Sequence, residues 1–509
     1  MINTNQLPPM ILTDAYKLSH HRLYPEAKSM TAYGEFRTSF NKDPTDHRIV
    51  FYGIQYIIKN YISRKWTLED IEKTELFLKT FNVNETEYPF PKELFKKFIK
   101  ENDGYFPVII EAIPEGSVIY PHVPVFQITA QNEYSCLVTF LETLLTMVWY
   151  PTTVATLSRK VKNVISQYFD QTTSPSSKFL LNSRLQDFGF RGCTSIEQSV
   201  IGGCAHLLNF EGTDTMSAAY YAQFELNGGK PVGNSIPATE HSVMTSHESE
   251  LVSITKSIEE YGDKFVSIVM DSYDYKNALE NLLPAVKSLK LKMGGYLVIR
   301  PDSGDIVKTV LDGLKACDLV FGSELNELGY KVLKNCSVIQ GDGVTFDVIH
   351  QILQSVQNLG FSAQNVVFGM GGGLLQKVNR DTMSFATKLS MIESKSGVIR
   401  NIMKKPKTDS GKFSLPGAFK IYLEKDENGL EIPKVYPRDS IPTDHTRNNS
   451  SHSETKDSKN ILRIVYDNGP VPDFVWDDFD TVKQRIEDQW ASRPLFAKVL
   501  SDEIETLRR

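Results

Sequence analysis

The sequence predicts an α/β fold built on a parallel sheet, with α+β segments at both chain ends, and three observations carry that expectation. Four apolar runs stop abruptly at polar tips. Ser267–Met270 runs into Asp271-Ser272-Tyr273-Asp274, and Leu297–Ile299 into Arg300-Pro301-Asp302-Ser303-Gly304-Asp305. Val338–Gln340 runs into Gly341-Asp342-Gly343, and Val366–Phe368 into Gly369-Met370-Gly371-Gly372-Gly373. Between them lie segments with helical spacing, Tyr275 to Leu291, Ile306 to Cys317 and Val344 to Asn358, so strand and helix alternate. Towards both ends of the chain that alternation fades. A parallel sheet, open or closed into a barrel, gathers its ligands at the carboxyl ends of its strands, so the charged tips form the candidate site.

Taken in order, Thr13-Asp14-Ala15-Tyr16-Lys17 reads as a helix start with a Thr or Asp cap. Thr31 to Arg37 alternates as a strand, and Phe51 to Ile58 opens an amphipathic helix. From Phe106 to Ala130 three short β-like runs are separated by Pro and Gly turns. Leu137 to Trp149 is an apolar helix expected to end before Pro151, where a domain transition is placed, and Thr152 to Tyr168 continues as a helix. Further tips follow at Leu185–Gly192, Phe210–Thr215 and Asn234–Ser242. After Arg380, strand-like runs mix with a basic loop from Lys404 to Lys412, and the stretch 439–460 is too polar to bury and is expected to be mobile. There is no internal repeat.

At 509 residues the chain has length for about three domain-sized units. Lys+Arg 56 against Asp+Glu 62 leaves a net charge of −6, which argues against a nucleic-acid surface and places any bound phosphate in a local basic pocket. No run approaches the length of a membrane span, no signal pattern opens the chain, and a cytoplasmic protein is expected. Five cysteines without a Cys-x-x-Cys pair suggest reduced thiols rather than a disulfide frame or zinc site.

The Gly369-x-Gly371-Gly372-Gly373 turn suits an anion, because glycines let backbone N–H groups approach and a following helix adds positive potential. It matches neither the P-loop nor the dinucleotide fingerprint. Asp302 and Asp342 on adjacent tips suit ribose hydroxyls or, with Asp271, a magnesium ion bridging phosphates. Arg300 is expected to be fixed by a neighbouring acid while still offering N–H groups to a ligand.

Read together, Thr13–Lys17, Asp187-Phe188-Gly189-Phe190-Arg191-Gly192, Gly212-Thr213-Asp214-Thr215, Pro237–Ser242, Asp271–Asp274, Ile299–Gly304, Gln340–Gly343 and Gly371–Lys377 closely resemble the nicotinamide phosphoribosyltransferase family over roughly residues 10–420. The resemblance implies an irregular α/β barrel of type II phosphoribosyltransferase fold, joined to an α+β domain built from both chain ends. Its expected parts are 1–150 and 386–509 for that domain, and 151–385 for the catalytic barrel. It also implies a homodimer with shared active sites. The implied reaction joins nicotinamide to phosphoribosyl pyrophosphate, with magnesium, to give nicotinamide mononucleotide and pyrophosphate in NAD salvage.

By that resemblance Phe188 and Tyr16 sandwich the pyridine ring, with Tyr16 coming from the other subunit, and Asp214, Arg300 and Ser267 bind the carboxamide. Asp302 and Gly341 hold the ribose, and Gly371, Gly372 and Arg380 hold its phosphate. Arg191, Arg37, Lys388 and Lys404 face phosphate or pyrophosphate. His241 matches the family histidine that ATP phosphorylates, and Asp14 and Asp271 are electrostatic or metal partners. Gln186 and Ser183 depart from the histidine and tyrosine of the animal enzymes. Asp214 favours the neutral amide over nicotinate, whose carboxylate it would repel, so nicotinate phosphoribosyltransferase is the nearest alternative. A sugar-phosphate lyase or isomerase would need a Schiff-base lysine or paired acid and base at a strand end. A non-catalytic binding protein would tolerate loss of His241 and Asp302.

Overall fold

The structure, a computed structural model, describes residues 6–83, 86–408, 410–440 and 459–508. The chain forms two compact units, Met1–Thr153 with Asn379–Arg509, and Val154–Val378. Most of the polar stretch 439–460 lies outside the described residues.

The first unit holds an antiparallel sheet in the order Ile399–Asn401, Phe385–Glu393, Ser29–Phe36, Pro124–Gln131, Val108–Ala112 and Arg463–Asp467. Both chain ends therefore share one sheet, since Ser29–Phe36 pairs with Phe385–Glu393 and Val108–Ala112 with Arg463–Asp467. The core beneath it is aromatic: Trp66 has Phe95, Phe98, Phe106 and Phe140 around it, with ring centroids 5.1 to 5.8 Å away. Buried Arg48 adds a second tie between the ends. It donates to Asp46 from Nε and Nη2, at 2.9 and 2.8 Å, and from Nη1 to the Trp490 carbonyl at 2.8 Å.

The second unit is a parallel sheet in the order Gly212–Thr213, Leu185–Asp187, Val366–Met370, Cys336–Gln340, Tyr296–Arg300 and Phe265–Val269. Its two edges are joined by residues 234–238, which bridge Gly212 through Asn234 and Ser267 through Ala238, both in parallel. The sheet thus curls into an irregular α/β barrel whose last link is made of single bridges. Register aligns the strand ends: Val269 stands opposite Arg300, Gln340 opposite Phe368, and Met370 opposite Asp187. Charge and glycine are delivered to one rim. Two helices leave that rim with side-chain caps, Ile306–Phe321 from Asp305, which accepts Lys308 N–H at 2.8 Å, and Phe346–Asn358 from Thr345.

Two local expectations are corrected and one is refined. The apolar stretch Leu137–Trp149 is not one helix: before Trp149 only Glu142–Thr146 within it is α-helical, and the next helix, Trp149–Thr172, takes Pro151 into its first turn, where a missing N–H costs nothing. The segment from Tyr275 is helical as far as Met293 but not regular: it widens over Ala278–Leu282 and is interrupted at Val286, two residues after Pro284. Asp14 precedes a 3-10 helix, Ala15–Arg22, without capping it. Its carboxylate accepts instead from Thr143 Oγ1 at 3.1 Å and Tyr16 Oη at 3.4 Å. Among the described residues no helix is long and apolar enough to cross a membrane, and all five cysteines are free thiols.

Candidate active site

The barrel rim is built around one aromatic ring lying on bare backbone. A Cβ on Gly369 would fall 2.0 Å from Phe188 Cε2, so only glycine in the strand Val366–Met370 lets that ring lie where it does. Phe188 N–H donates to the Met370 carbonyl at 3.1 Å, extending the ladder past Asp187. The Arg300 guanidinium sits 5.2 Å from the ring centroid.

Asp187 fixes the two segments beside this ring. Its Oδ1 accepts Gly189 N–H at 2.7 Å and its carbonyl accepts Asp214 N–H at 3.0 Å. Burial pushes its carboxyl up to about 6, with the Gly189 N–H pulling the other way. Asp214 is exposed and accepts the Ser235 hydroxyl on Oδ1. Inside the barrel lies a cavity of about 480 Å³ lined by Phe188, Asp214, Ser267, Tyr296, Arg300 and Val367. Above it a cavity of about 910 Å³ is lined by Arg191, His241, Asp302, Gly341, Gly371 and Lys377. The two share Phe188, Asp214 and Arg300.

Along the next strand ends the acids form a connected set. Arg300 donates to Asp302 from Nε at 2.8 Å and Nη2 at 3.0 Å. Asp271 Oδ2 accepts Asp302 N–H at 2.8 Å and the Ser303 hydroxyl at 2.6 Å, while its buried Oδ1 has no hydrogen-bond partner. His241 Nδ1 lies 3.2 Å from Ser272 Oγ, and its Nε2 faces Asp302 Oδ2 at 3.6 Å and Asp271 Oδ1 at 3.9 Å. The imidazole is half exposed, so one nitrogen is oriented by Ser272 and the other stands between two carboxylates.

Gly341 sits where a Cβ would meet Arg300 Nε at 2.9 Å. Gly372–Leu375 is a single helical turn, so any anion there is met by the amides of the glycine run rather than by a helix of useful length. Asp342 lines the same cavity. Gln376 secures the facing loop, donating to the Gly189 carbonyl at 2.9 Å.

The other expected cations belong to the first unit. Arg37, Lys42, Arg380, Lys388, Lys404 and Lys412 line a pocket of about 680 Å³ there. Burial lowers the Lys388 ammonium, with Glu142 opposing and Arg37 reinforcing the shift. The expected residues thus fall into two groups. Phe188, Arg191, Asp214, Ser267, Arg300, Asp302, Gly341, Asp342, Gly371, Gly372, His241 and Asp271 belong to the barrel unit, whereas Tyr16, Asp14, Arg37, Arg380, Lys388 and Lys404 belong to the other. Arg380, expected with Gly371 and Gly372, lines the basic pocket. Sequence reasoning missed Asp187, Ser235, Ser272 and Lys377. Ser235 and Ser272 stood inside tips already singled out, but a serine beside an acid carries no distinguishing pattern.

Solved structures share this architecture. Human nicotinic acid phosphoribosyltransferase superimposes with a TM-score of 0.63 at 15% identity, covering 98% of this chain and 99% of that one. Nicotinate-nucleotide pyrophosphorylase from Pyrococcus furiosus gives 0.62 at 15% identity, covering 97% of each. The fold is that of the type II phosphoribosyltransferases. In sequence, residues 183–469 match the nicotinate phosphoribosyltransferase (NAPRTase) family and residues 9–110 the N-terminal domain of nicotinamide phosphoribosyltransferase. The nicotinamide phosphoribosyltransferase of Xanthomonas campestris pv. campestris (strain 8004) is 37% identical over 423 residues, 82% of this chain and 88% of that protein. The one from Acinetobacter baylyi (strain ATCC 33305 / BD413 / ADP1) is 30% identical over 96% of this chain and 98% of its own. The chain belongs to the nicotinate phosphoribosyltransferase family and is a pentosyltransferase.

Proposed function

We propose that the protein is a nicotinamide phosphoribosyltransferase working in cytoplasmic NAD salvage. The observation that carries this reading is the Phe188 ring, seated on Gly369 with Arg300 and Asp214 at its sides, which suits a flat pyridine bearing a neutral amide. Arg300 already spends Nε and Nη2 on Asp302, so its charge is largely matched and it offers Nη1 to the amide oxygen. Asp214 then accepts the amide N–H. Against nicotinate the same carboxylate faces a like charge, a repulsion of about 4 kcal/mol at 4 Å for an effective dielectric of 20.

The chemistry breaks the C1–O bond to pyrophosphate and forms a bond from C1 to the pyridine nitrogen. Positive charge develops on the ribose as the leaving group takes the electron pair, so alignment and electrostatics do most of the catalysis. Asp302 and Gly341 hold the ribose, Gly371 and Gly372 its phosphate, and Arg191, Arg37, Arg380, Lys388 and Lys404 face phosphate or pyrophosphate.

Among the described residues no group of three or more His, Cys, Asp or Glu is arranged to hold a metal. Magnesium usually binds through one or two carboxylates plus substrate phosphates, and Asp302, Asp342 and the unpartnered Asp271 Oδ1 are oxygen donors of that kind. When bound with the diphosphate, the ion would neutralise charge on the leaving group. His241 takes the γ-phosphoryl of ATP on a ring nitrogen, releasing ADP, and hydrolysis of that phosphohistidine is coupled to synthesis. Active sites are shared in a homodimer, with Tyr16 of one subunit stacking on the ring held by Phe188 of the other and Asp14 beside it.

The test is mononucleotide formation from phosphoribosyl pyrophosphate and magnesium, with nicotinamide or nicotinate and with or without ATP. Turnover of nicotinamide, raised by ATP in the wild type and unresponsive to ATP in His241→Gln, is expected. Preference for nicotinate would overturn the substrate assignment. Co-expressed Tyr16→Ala and Phe188→Ala subunits should regain activity that neither has alone; failure of rescue would sink the shared site.

A further inference from the structure

Glu35 is a carboxylate near the end of the strand Ser29–Phe36 with no exposed surface. A charge in such a place is retained only where it is paired and hydrogen-bonded. Its Oε1 accepts from Arg37 Nε at 3.2 Å and from the Tyr33 hydroxyl at 3.1 Å, and its Oε2 lies 3.1 Å from His122 Nδ1. The Tyr33 hydroxyl in turn accepts Leu415 N–H at 2.6 Å. Leu415 directly follows the neck of the basic loop, where Lys404 N–H donates to Ser414 Oγ at 2.8 Å and Ser414 N–H to the Lys404 carbonyl at 3.1 Å. His122 holds a left-handed backbone, φ +70°, a conformation costly for a side chain of that size and kept only where surroundings enforce it.

We infer that Glu35 is the positioning residue of the basic pocket: one buried carboxylate orients Arg37 directly and, through Tyr33, anchors the loop that carries Lys404. The inference rests on reading that pocket as a phosphate or pyrophosphate site. Two of the cations that line it belong to segments far apart in sequence, and they would drift apart under mutual repulsion without a shared anchor. Arg37 Nη2 is buried without a hydrogen-bond partner, so the carboxylate fixes the guanidinium by its Nε and leaves a donor uncommitted. Burial, with Glu35 beside it, holds the Tyr33 phenol well above its ordinary range, so it stays a donor to the carboxylate at any working pH.

The experiment compares wild type, Glu35→Gln and Tyr33→Phe in steady-state kinetics, with binding of inorganic pyrophosphate measured by calorimetry. Both variants should raise KM for phosphoribosyl pyrophosphate by about tenfold, the worth of one hydrogen bond to a charged group. Both should weaken pyrophosphate binding by a similar factor and leave KM for nicotinamide unchanged. Tyr33→Phe retains the ring packing and decides the matter if Glu35→Gln does not fold. Kinetics and pyrophosphate affinity unchanged in Tyr33→Phe, or a fall in kcat alone, would overturn the inference. A wild type that binds pyrophosphate without turning over either base would overturn the proposed function, and the calorimetry would still judge Glu35.

Discussion

Arg300 and Asp302 are bound head to head, by two parallel hydrogen bonds of 2.8 and 3.0 Å between residues separated by a single proline. The pair is partly buried beside Phe188, and it converts a free cation at the rim into a nearly neutral fork whose Nη1 is left for a ligand. Replacing Asp302 with Asn leaves the arginine charge uncompensated. Asp302→Asn is expected to lower kcat/KM for nicotinamide by about 100-fold, the scale of a broken buried pair. The same change should narrow the margin over nicotinate. Steady-state kinetics with both bases checks this, and an unchanged kcat/KM would remove Asp302 from the site.

Asp214→Asn tests the charge argument on its own. Asp214 is exposed, so water screens part of its repulsion, and the preference for nicotinamide over nicotinate should fall by roughly 10- to 100-fold rather than by the full unscreened amount. Competition between the two bases for one pool of phosphoribosyl pyrophosphate measures it. A preference untouched by the substitution would show that discrimination lies elsewhere.

How much of this could be read in the sequence follows from what burial writes into a pattern. The strands Tyr296–Arg300, Cys336–Gln340 and Val366–Met370 are covered on both faces, so each reads as an unbroken apolar run whose polar end marks the rim. That is why Arg300, Asp302, Asp342 and the glycine run stood out. The stretch Asn234–Ser242 stood out as a tip but not as the link between the barrel edges, because each link is a single bridge and leaves no period. Asp187 was legible as a residue but not as a role: its importance lies in two backbone amides, Gly189 and Asp214, that sequence does not bring together. Glu35 could not be singled out because Tyr33, Glu35 and Arg37 read as the ordinary alternation of one strand, while His122 and the Leu415 N–H that completes the link reach it only in the fold. Pro151 misled, because a proline read as a helix boundary is tolerated in the first turn of Trp149–Thr172.

Gly369→Ala tests the floor of the site. The strand is central, so its backbone is held on both sides, and Phe188 must move to relieve a 2.0 Å contact. Overpacking of this kind costs about 1–3 kcal/mol. The expected result is a nicotinamide KM raised by about tenfold or more with a smaller change in kcat. An unchanged KM in a folded variant would mean that the Phe188 ring does not set the pyridine position.

Asp187 gives the pH dependence. Its carboxyl is raised from the ordinary 3.8 to about 6, and burial is the cause. For a group raised in the fold, its favourable contribution to stability is complete below 3.8 and is lost as pH rises through about 6, because above that pH the folded chain must carry a buried charge that the unfolded chain carries in water. A shift of that size corresponds to about 3 kcal/mol. Asp187→Asn keeps an acceptor for the Gly189 N–H and removes the titration. The variant should match wild type in thermal stability near pH 4 and exceed it at pH 7 to 8. Activity should move the other way, since at pH 7 to 8 the ionised carboxylate is the stronger acceptor holding the Phe188 and Asp214 segments in place. Melting temperature and kcat/KM measured across pH 4 to 8 decide it, and parallel stability profiles for the two proteins would show that Asp187 does not titrate in this range.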